Sequence, residues 1–157
     1  MLPIKNILCP TDLSDPSFEA LEAACELALH FSSMLIVIHV VPPIPPVTAD
    51  PMSPGTFNVP PYQQQMELSE SAKKVIEERI QQRVPEKVPV HIMVVMGDPA
   101  DQIVTTAEDE KADLIVIATR GQTGLKRLVF GSVAEKVVRL AAQPVLTIRG
   151  PRTDDRE

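Results

Sequence analysis

The sequence predicts a three-layer α/β domain, a five-stranded parallel sheet in the order 3-2-1-4-5 with four helices on its two faces. Three observations carry that prediction. Five short apolar runs alternate with four helical patterns along the 157 residues. The runs are continuous rather than alternating, as expected of strands covered on both faces. Right-handed crossovers then require one reversal of direction to cover both faces, and order 3-2-1-4-5 puts it between strands one and four.

The elements follow in order. Ile4 to Cys9 is the first strand, ended by Pro10. Asp15-Pro16 supplies a cap and a first-turn proline for a helix reaching about Phe31, with Phe18, Leu21, Cys25 and Ala28 on one face. Met34 to Val41 (MLIVIHVV) is the second strand, rich in β-branched residues. Pro42 to Pro61 holds eight of the sixteen prolines, which excludes a helix or a central strand. It reads as a mobile surface loop or as a flap over the ligand site, since it leaves the end of strand two next to strand one. Gln63 to Val84 is a helix with a stripe of Leu68, Ala72, Val75, Ile76 and Ile80. Val88 to Met96 is the third strand, closed by Gly97, and Asp98-Pro99 opens a helix to about Glu110. Leu114 to Ala118 is the fourth strand, Ser132 opens a helix carrying Val133, Val137, Val138 and Leu140, and Val145 to Ile148 is the fifth strand. A polar tail fills 150–157, so the whole of 1–157 reads as a single domain.

Composition narrows the function. With 44% hydrophobic and 23% charged residues the chain is globular, not disordered. Its longest apolar stretch, Met34 to Val41, is far short of a membrane span, and MLPIKNILCP is not a secretory signal. Charge sums to 15 − 21 = −6, and one Tyr, four Phe and no Trp leave little for base stacking. Both facts argue against nucleic acid as a partner. Cys9 and Cys25 read as small buried hydrophobes in a reducing cytoplasm. His39 and His91 fall inside strands and read as satisfied histidines, while His30 ends a helix where a cation suits the dipole. No spacing matches a zinc site, and no nucleophile–base pairing marks an acyl-transfer enzyme.

One stretch contrasts with the acidic whole. Thr119 to Gly131 (TRGQTGLKRLVFG) holds three of the six glycines, with Arg120, Lys126 and Arg127 and no acid. Glycines let a backbone approach an anion, and the helix opening at Gly131-Ser132 offers unpaired N–H groups and a positive dipole end. The plainer reading is turn glycines at Gly121 and Gly124, and a capping box between Ser132 and Glu135. Neither a Walker A loop nor a GxGxxG fingerprint occurs. Ligands of such sheets sit beyond the strands' carboxyl ends at the switch, which predicts a site between the loops after Cys9 and after Ala118. Asp12, just past strand one, is placed to accept from a ribose hydroxyl or hold a metal-bound water; equally, it is placed to cap its own turn.

The residues resemble the universal stress protein family over 3 to 149. KNILCPTDLSD resembles its first strand and PTD-type turn; VMGDPADQIVTTAEDEKADLIVIATRG resembles its third strand, G-D-P turn, third helix and fourth strand. RGQTGLKRLVFGSVAEKVVRLAAQPVLTIR resembles its glycine signature, G-x2-G-x9-G-[ST], matched here by Gly121, Gly131 and Ser132, with Ala118 where the first glycine falls. The resemblance implies a fold like the adenine nucleotide alpha-hydrolases. It also implies ATP binding, with Mg²⁺ the accompanying cation, in a regulatory role rather than fast turnover. It puts Pro10, Thr11 and Asp12 beside the nucleoside with Asp12 on the ribose, Val40 against adenine, Ile117 and Ala118 along the sugar, and Gly121, Gly131, Ser132 and Val133 on the phosphates. A protein-interaction module with a degenerate pocket, which Ala118 favours, and a slow nucleotide hydrolase are the alternatives. The expected partners are the nucleotide, an unidentified protein and a second copy paired through Val145 to Ile148, an edge strand with no charge inside it.

Overall fold

The computed structural model describes residues 3–44, 61–119 and 131–149. In chain order these form β1 (Asn6–Pro10), α1 (Asp15–Phe31), β2 (Met34–Val41), α2 (Pro61–Arg83), β3 (Val90–Met96), α3 (Pro99–Asp109), β4 (Leu114–Ala118), α4 (Ser132–Leu140) and β5 (Val145–Ile148). The sheet is wholly parallel in the order β3-β2-β1-β4-β5, as the alternation of runs requires. Most of the Pro-rich stretch, the basic residues Arg120, Lys126 and Arg127 with Gly121 and Gly124, and the polar tail lie outside the described residues.

Period-two alternation divides the core into two layers. Ile7, Cys9, Leu35, Val37 and Val116 face α1 and α2, where they meet Phe18, Leu21, Ala24, Cys25 and Ala28 of α1 and Ile76 of α2. Leu8, Ile36, Ile38, Ile115 and Ile117 face α3 and α4, against Ala100, Ile103 and Ala107 of α3 and Ala134 and Val137 of α4. Both cores are closed, which is why the strands are apolar throughout. Each large aliphatic side chain buried here contributes roughly 1.5–3 kcal/mol.

Several local expectations are corrected. β1 runs Asn6–Pro10 rather than Ile4 to Cys9, and β3 starts at Val90. The cap of α1 is Ser14, not Asp15. The Asp12 carboxylate turns the chain by accepting from the Ser14 N–H and hydroxyl, and Ser14 Oγ then accepts from the Ser17 N–H. On α2 the apolar stripe is narrower than its sequence suggests. Ala72 and Ile76 are buried, but Leu68 and Val75 are exposed, because this helix packs mainly on the edge strand β3 and less on β2. On the single-sided α4, Val137 is buried while Val138 and Leu140 are exposed.

The sheet is tied at one end and open at the other. At the amino ends of the strands, the Asp113 carboxylate accepts from the Lys5 N–H at 2.7 Å and the Asn6 N–H at 3.0 Å. The Asn6 side-chain amide donates to the Glu110 carbonyl at 3.1 Å. Toward the carboxyl ends, β1 and β4 pair only at Ile7↔Leu114 and Leu8↔Ile115, while β1 stays in register with β2 through Pro10↔Ile38. Beyond Leu8 the two central strands part.

At the other edge, β5 pairs with β4 alone. The Pro144 and Ile148 carbonyls both accept from the β4 side, at 3.0 and 2.9 Å. By strand alternation the N–H and C=O of Val145 and Thr147 therefore point away from the sheet.

Gly97 closes β3 with φ +145°, and a Cβ there would stand 2.9 Å from Gln102 Cγ. The backbone conformation, more than the flexible glutamine, sets the cost. Gly97→Ala is expected to lower stability by roughly 1–3 kcal/mol, read as a drop in the urea midpoint; an unchanged midpoint would mean that the turn relaxes without strain.

Candidate functional site

The parting of β1 and β4 opens a cavity of about 360 Å³ at the carboxyl ends of the strands. That is within the size range of small-molecule sites. Pro10, Thr11 and Asp12 form one wall, and Ile38, His39 and Val40 of β2 extend it. Ile117, Ala118 and Thr119 form the opposite wall, closed by Gly131, Ser132, Val133 and Ala134 at the start of α4 and by Pro99 and Ile103 of α3. Nine of the ten expected site residues line this one cavity: Pro10, Thr11, Asp12, Val40, Ile117, Ala118, Gly131, Ser132 and Val133. The tenth, Gly121, lies outside the described residues.

The β1–α1 turn is built from hydroxyls. Thr11 N–H continues the ladder to the Ile38 carbonyl at 2.8 Å. Thr11 Oγ1 accepts from the Leu13 N–H at 3.1 Å and lies 2.8 Å from Ser17 Oγ. Ser17 Oγ in turn donates to the Ser14 carbonyl, so the Thr11 hydroxyl donates to Ser17. Leu13 takes φ +66° to complete the turn. Asp12 is thus the capping residue of its own turn, one of the two roles its sequence position allowed.

The start of α4 corrects another expectation. Ser132 does not form a capping box with Glu135. The cap position is Gly131, whose carbonyl accepts from the Glu135 N–H at 3.0 Å, so the serine is the first helical residue and its side chain is not the cap. The N–H groups of Ser132, Val133 and Ala134 therefore have no acceptor within the helix, and all three residues line the cavity. Gly131 donates to the Thr119 carbonyl at 2.6 Å, and a Cβ on it would lie 3.3 Å from that oxygen. With φ −71° the glycine serves close approach rather than an unusual backbone angle. Beside it, Thr119 Oγ1 is buried without a hydrogen-bond partner among the described residues. These donors fit an anionic ligand group.

Sequence reasoning did not name Ser17, Ile38, His39, Pro42, Pro99, Ile103, Thr119 or Ala134 as lining residues. Thr119 adjoins Ala118 and was within reach of the motif. The α3 residues were not, because only the packing of α3 against β2 brings them to the opening.

The cysteines belong to the core beneath. Both are free and buried, and burial pushes the Cys9 thiol up to about 12. Cys25 is also raised, by burial and then by Glu26. Among the described residues no group of three or more His, Cys, Asp or Glu is arranged to hold a metal ion, and no helix is long and apolar enough to cross a membrane.

A model of the universal stress protein family matches residues 3–149. The chain belongs to the universal stress protein family. It is 38% identical over 152 residues to universal stress protein MJ0531 of Methanocaldococcus jannaschii, covering 96% of this chain and 85% of that one. The solved structure of MJ0577 from the same organism superposes with a TM-score of 0.79 at 25% identity, covering 97% of this chain and all of that one. The two chains thus share one fold.

A charged clasp holds α3 and α4 at the rim of the cavity. Lys136 Nζ lies 3.0 Å from Asp98 Oδ1 and 2.8 Å from Asp101 Oδ1. Asp98 is held below the usual aspartate range, first by the Asp101 N–H it caps and then by Lys136. Lys136 is held above the usual lysine range, chiefly by Asp101 and then by Asp98. A carboxylate with a lowered pKa contributes at neutral pH and loses that contribution as pH falls through its folded value. A raised lysine contributes until pH rises through its own. Lys136→Met is therefore expected to flatten the stability–pH profile below about pH 4 and above about pH 10. Urea midpoints that fall as steeply as in the parent at both ends would remove the clasp from the pH response.

Proposed function

We propose that this chain binds an adenine nucleotide, ATP with Mg²⁺, and acts through the bound state in a stress-response regulatory role rather than by turnover. The observation that carries this reading is the juxtaposition across one cavity of an uncapped helix start and the hydroxyl-built turn holding Asp12. Asp12 would meet the ribose, Val40 the adenine, and the first N–H groups of α4 the phosphates. Mg²⁺ would arrive with the triphosphate, since its oxygens are the natural ligands. Two neighbours with this fold were solved with adenine nucleotides. One is a universal stress protein in complex with cAMP (20% identity, TM-score 0.65, covering 94% of this chain and 98% of that one). The other, from Archaeoglobus fulgidus, is in complex with dAMP (22% identity, TM-score 0.58, covering 94% and 99%).

Two observations bear on the other readings. Ala118 lines the cavity where the family signature has glycine, which supports an interaction module with a weakened pocket. Asp12, the acid best placed to activate a water, already accepts two hydrogen bonds from Ser14 through Oδ1, which counts against hydrolysis. A cytoplasmic setting suits two buried, unpaired thiols.

ATP with Mg²⁺ at about 100 times its Kd is expected to stabilise the fold by about 2.7 kcal/mol, seen as a rise in melting temperature with matching calorimetric heat. Absence of both at millimolar ATP supports the interaction module instead. Ala118→Gly, which removes a methyl group from the cavity wall, is expected to raise ATP affinity a few-fold. Gly131→Val is expected to abolish it while leaving most of the stability, because its branches crowd the Thr119 carbonyl and the anion path.

We also propose a homodimer through β5. Leu146 is 40% exposed, and Val145 and Thr147 turn their peptide groups outward, so a second copy would extend the sheet antiparallel across a two-fold axis. Light scattering at tens of micromolar should return twice the 17.2 kDa chain mass. Thr147→Pro, which deletes an outward donor, should shift it toward the monomer; a monomeric parent would end this proposal.

A further inference from the structure

Among the described residues, Asp12 and His39 are the titratable side chains lining the cavity. The role of Asp12 is accounted for; that of His39 is not. His39 stands on β2, half-buried, with Nδ1 at 2.8 Å from the Thr11 carbonyl oxygen. A carbonyl oxygen only accepts, so Nδ1 carries the proton and Nε2 is bare in the neutral ring. The other polar groups of Thr11 are committed elsewhere, its N–H to Ile38 and its hydroxyl to Ser17 and Leu13. The carbonyl remains, and it shares one rigid peptide plane with the Asp12 N–H. Whatever holds that carbonyl fixes the plane from which Asp12 departs.

We infer that His39 is a positioning residue of the nucleotide site: its Nδ1–H holds the Thr11 carbonyl, and so sets the orientation of Asp12 toward the ligand. This rests on the nucleotide reading above. β1 and β2 end side by side here, with Pro10 paired to Ile38, so the imidazole reaches across from the neighbouring strand to the first residue of the turn. A leucine would fill similar space without the donor. An asparagine offers its side-chain N–H close to the position of Nδ1.

The test compares the parent chain with His39→Leu and His39→Asn by calorimetric titration of ATP with Mg²⁺, alongside thermal melting. Loss of one neutral hydrogen bond corresponds to about tenfold in affinity. His39→Leu should bind ATP about tenfold more weakly while still folded, and His39→Asn should recover most of that loss; a purely space-filling role predicts no such rescue. Nitrogen-15 NMR of the parent should place the imidazole proton on Nδ1. Equal ATP affinity in the parent and His39→Leu, or an asparagine variant as weak as the leucine one, overturns the role of His39 and leaves the nucleotide reading intact. No ATP binding by the parent overturns both. If His39→Leu fails to fold, the tautomer decides: a proton on Nε2 with Nδ1 bare rejects the inference.

Discussion

The site depends on a hydrogen bond that cannot form. Thr11 sends its N–H to β2, so strand alternation turns the nitrogen of Pro10 toward β4. Proline has no hydrogen to give there. The β1–β4 ladder has already ended at Leu8↔Ile115, and nothing carries it further, while the ladder to β2 is undisturbed because it never needed that donor. A central strand therefore ends in a proline without breaking the sheet. The gap falls at the switch point, where crossovers leave on opposite faces and, among the described residues, no helix covers the opening.

Around this gap the ligand-facing groups are mostly fixed dipoles. On one side stand hydroxyls and a carboxylate in a tight turn; on the other, peptide N–H groups at the start of α4, held to β4 through Gly131 and Thr119. Ile38, Val40, Ile103 and Ile117 separate the two with apolar surface. The division suits an elongated ligand with a flat apolar end, a hydroxylated middle and an anionic end. The clasp of Lys136 with Asp98 and Asp101 links α3 to α4 beside the rim.

Much of this was legible in the sequence because the relevant signals are local. Continuous apolar runs gave β2, β4 and β5 their ends to the residue, and the Asp98-Pro99 start of α3 follows from capping and proline preference alone. The glycine-to-serine boundary at Gly131 located the start of α4. What could not be read was set by partners distant in the chain. The Ser14 cap of α1 is a local exception: its hydroxyl donates to Asp12, leaving the oxygen to accept from the Ser17 N–H. Leu68, Val75, Val138 and Leu140 look like core by spacing but are exposed, because α2 and α4 each present a narrower face to the sheet than their apolar content suggests. The histidine lining the cavity read as an ordinary satisfied strand residue. It is satisfied, but by the turn that carries the candidate ligand residue, and no one-dimensional pattern records that.

The burial of Cys9 and Cys25 has a consequence for oxidative chemistry. Burial pushes the Cys9 thiol up to about 12, so it stays protonated at neutral pH, and peroxides and alkylating reagents attack the thiolate. Both side chains sit in the layer between the sheet and α1, away from solvent. Oxidants and alkylating reagents that modify exposed cysteines would leave both thiols of the folded chain intact. Thiol labelling would then record when the α1 layer lifts off the sheet, making these two residues a native clock for opening of the domain.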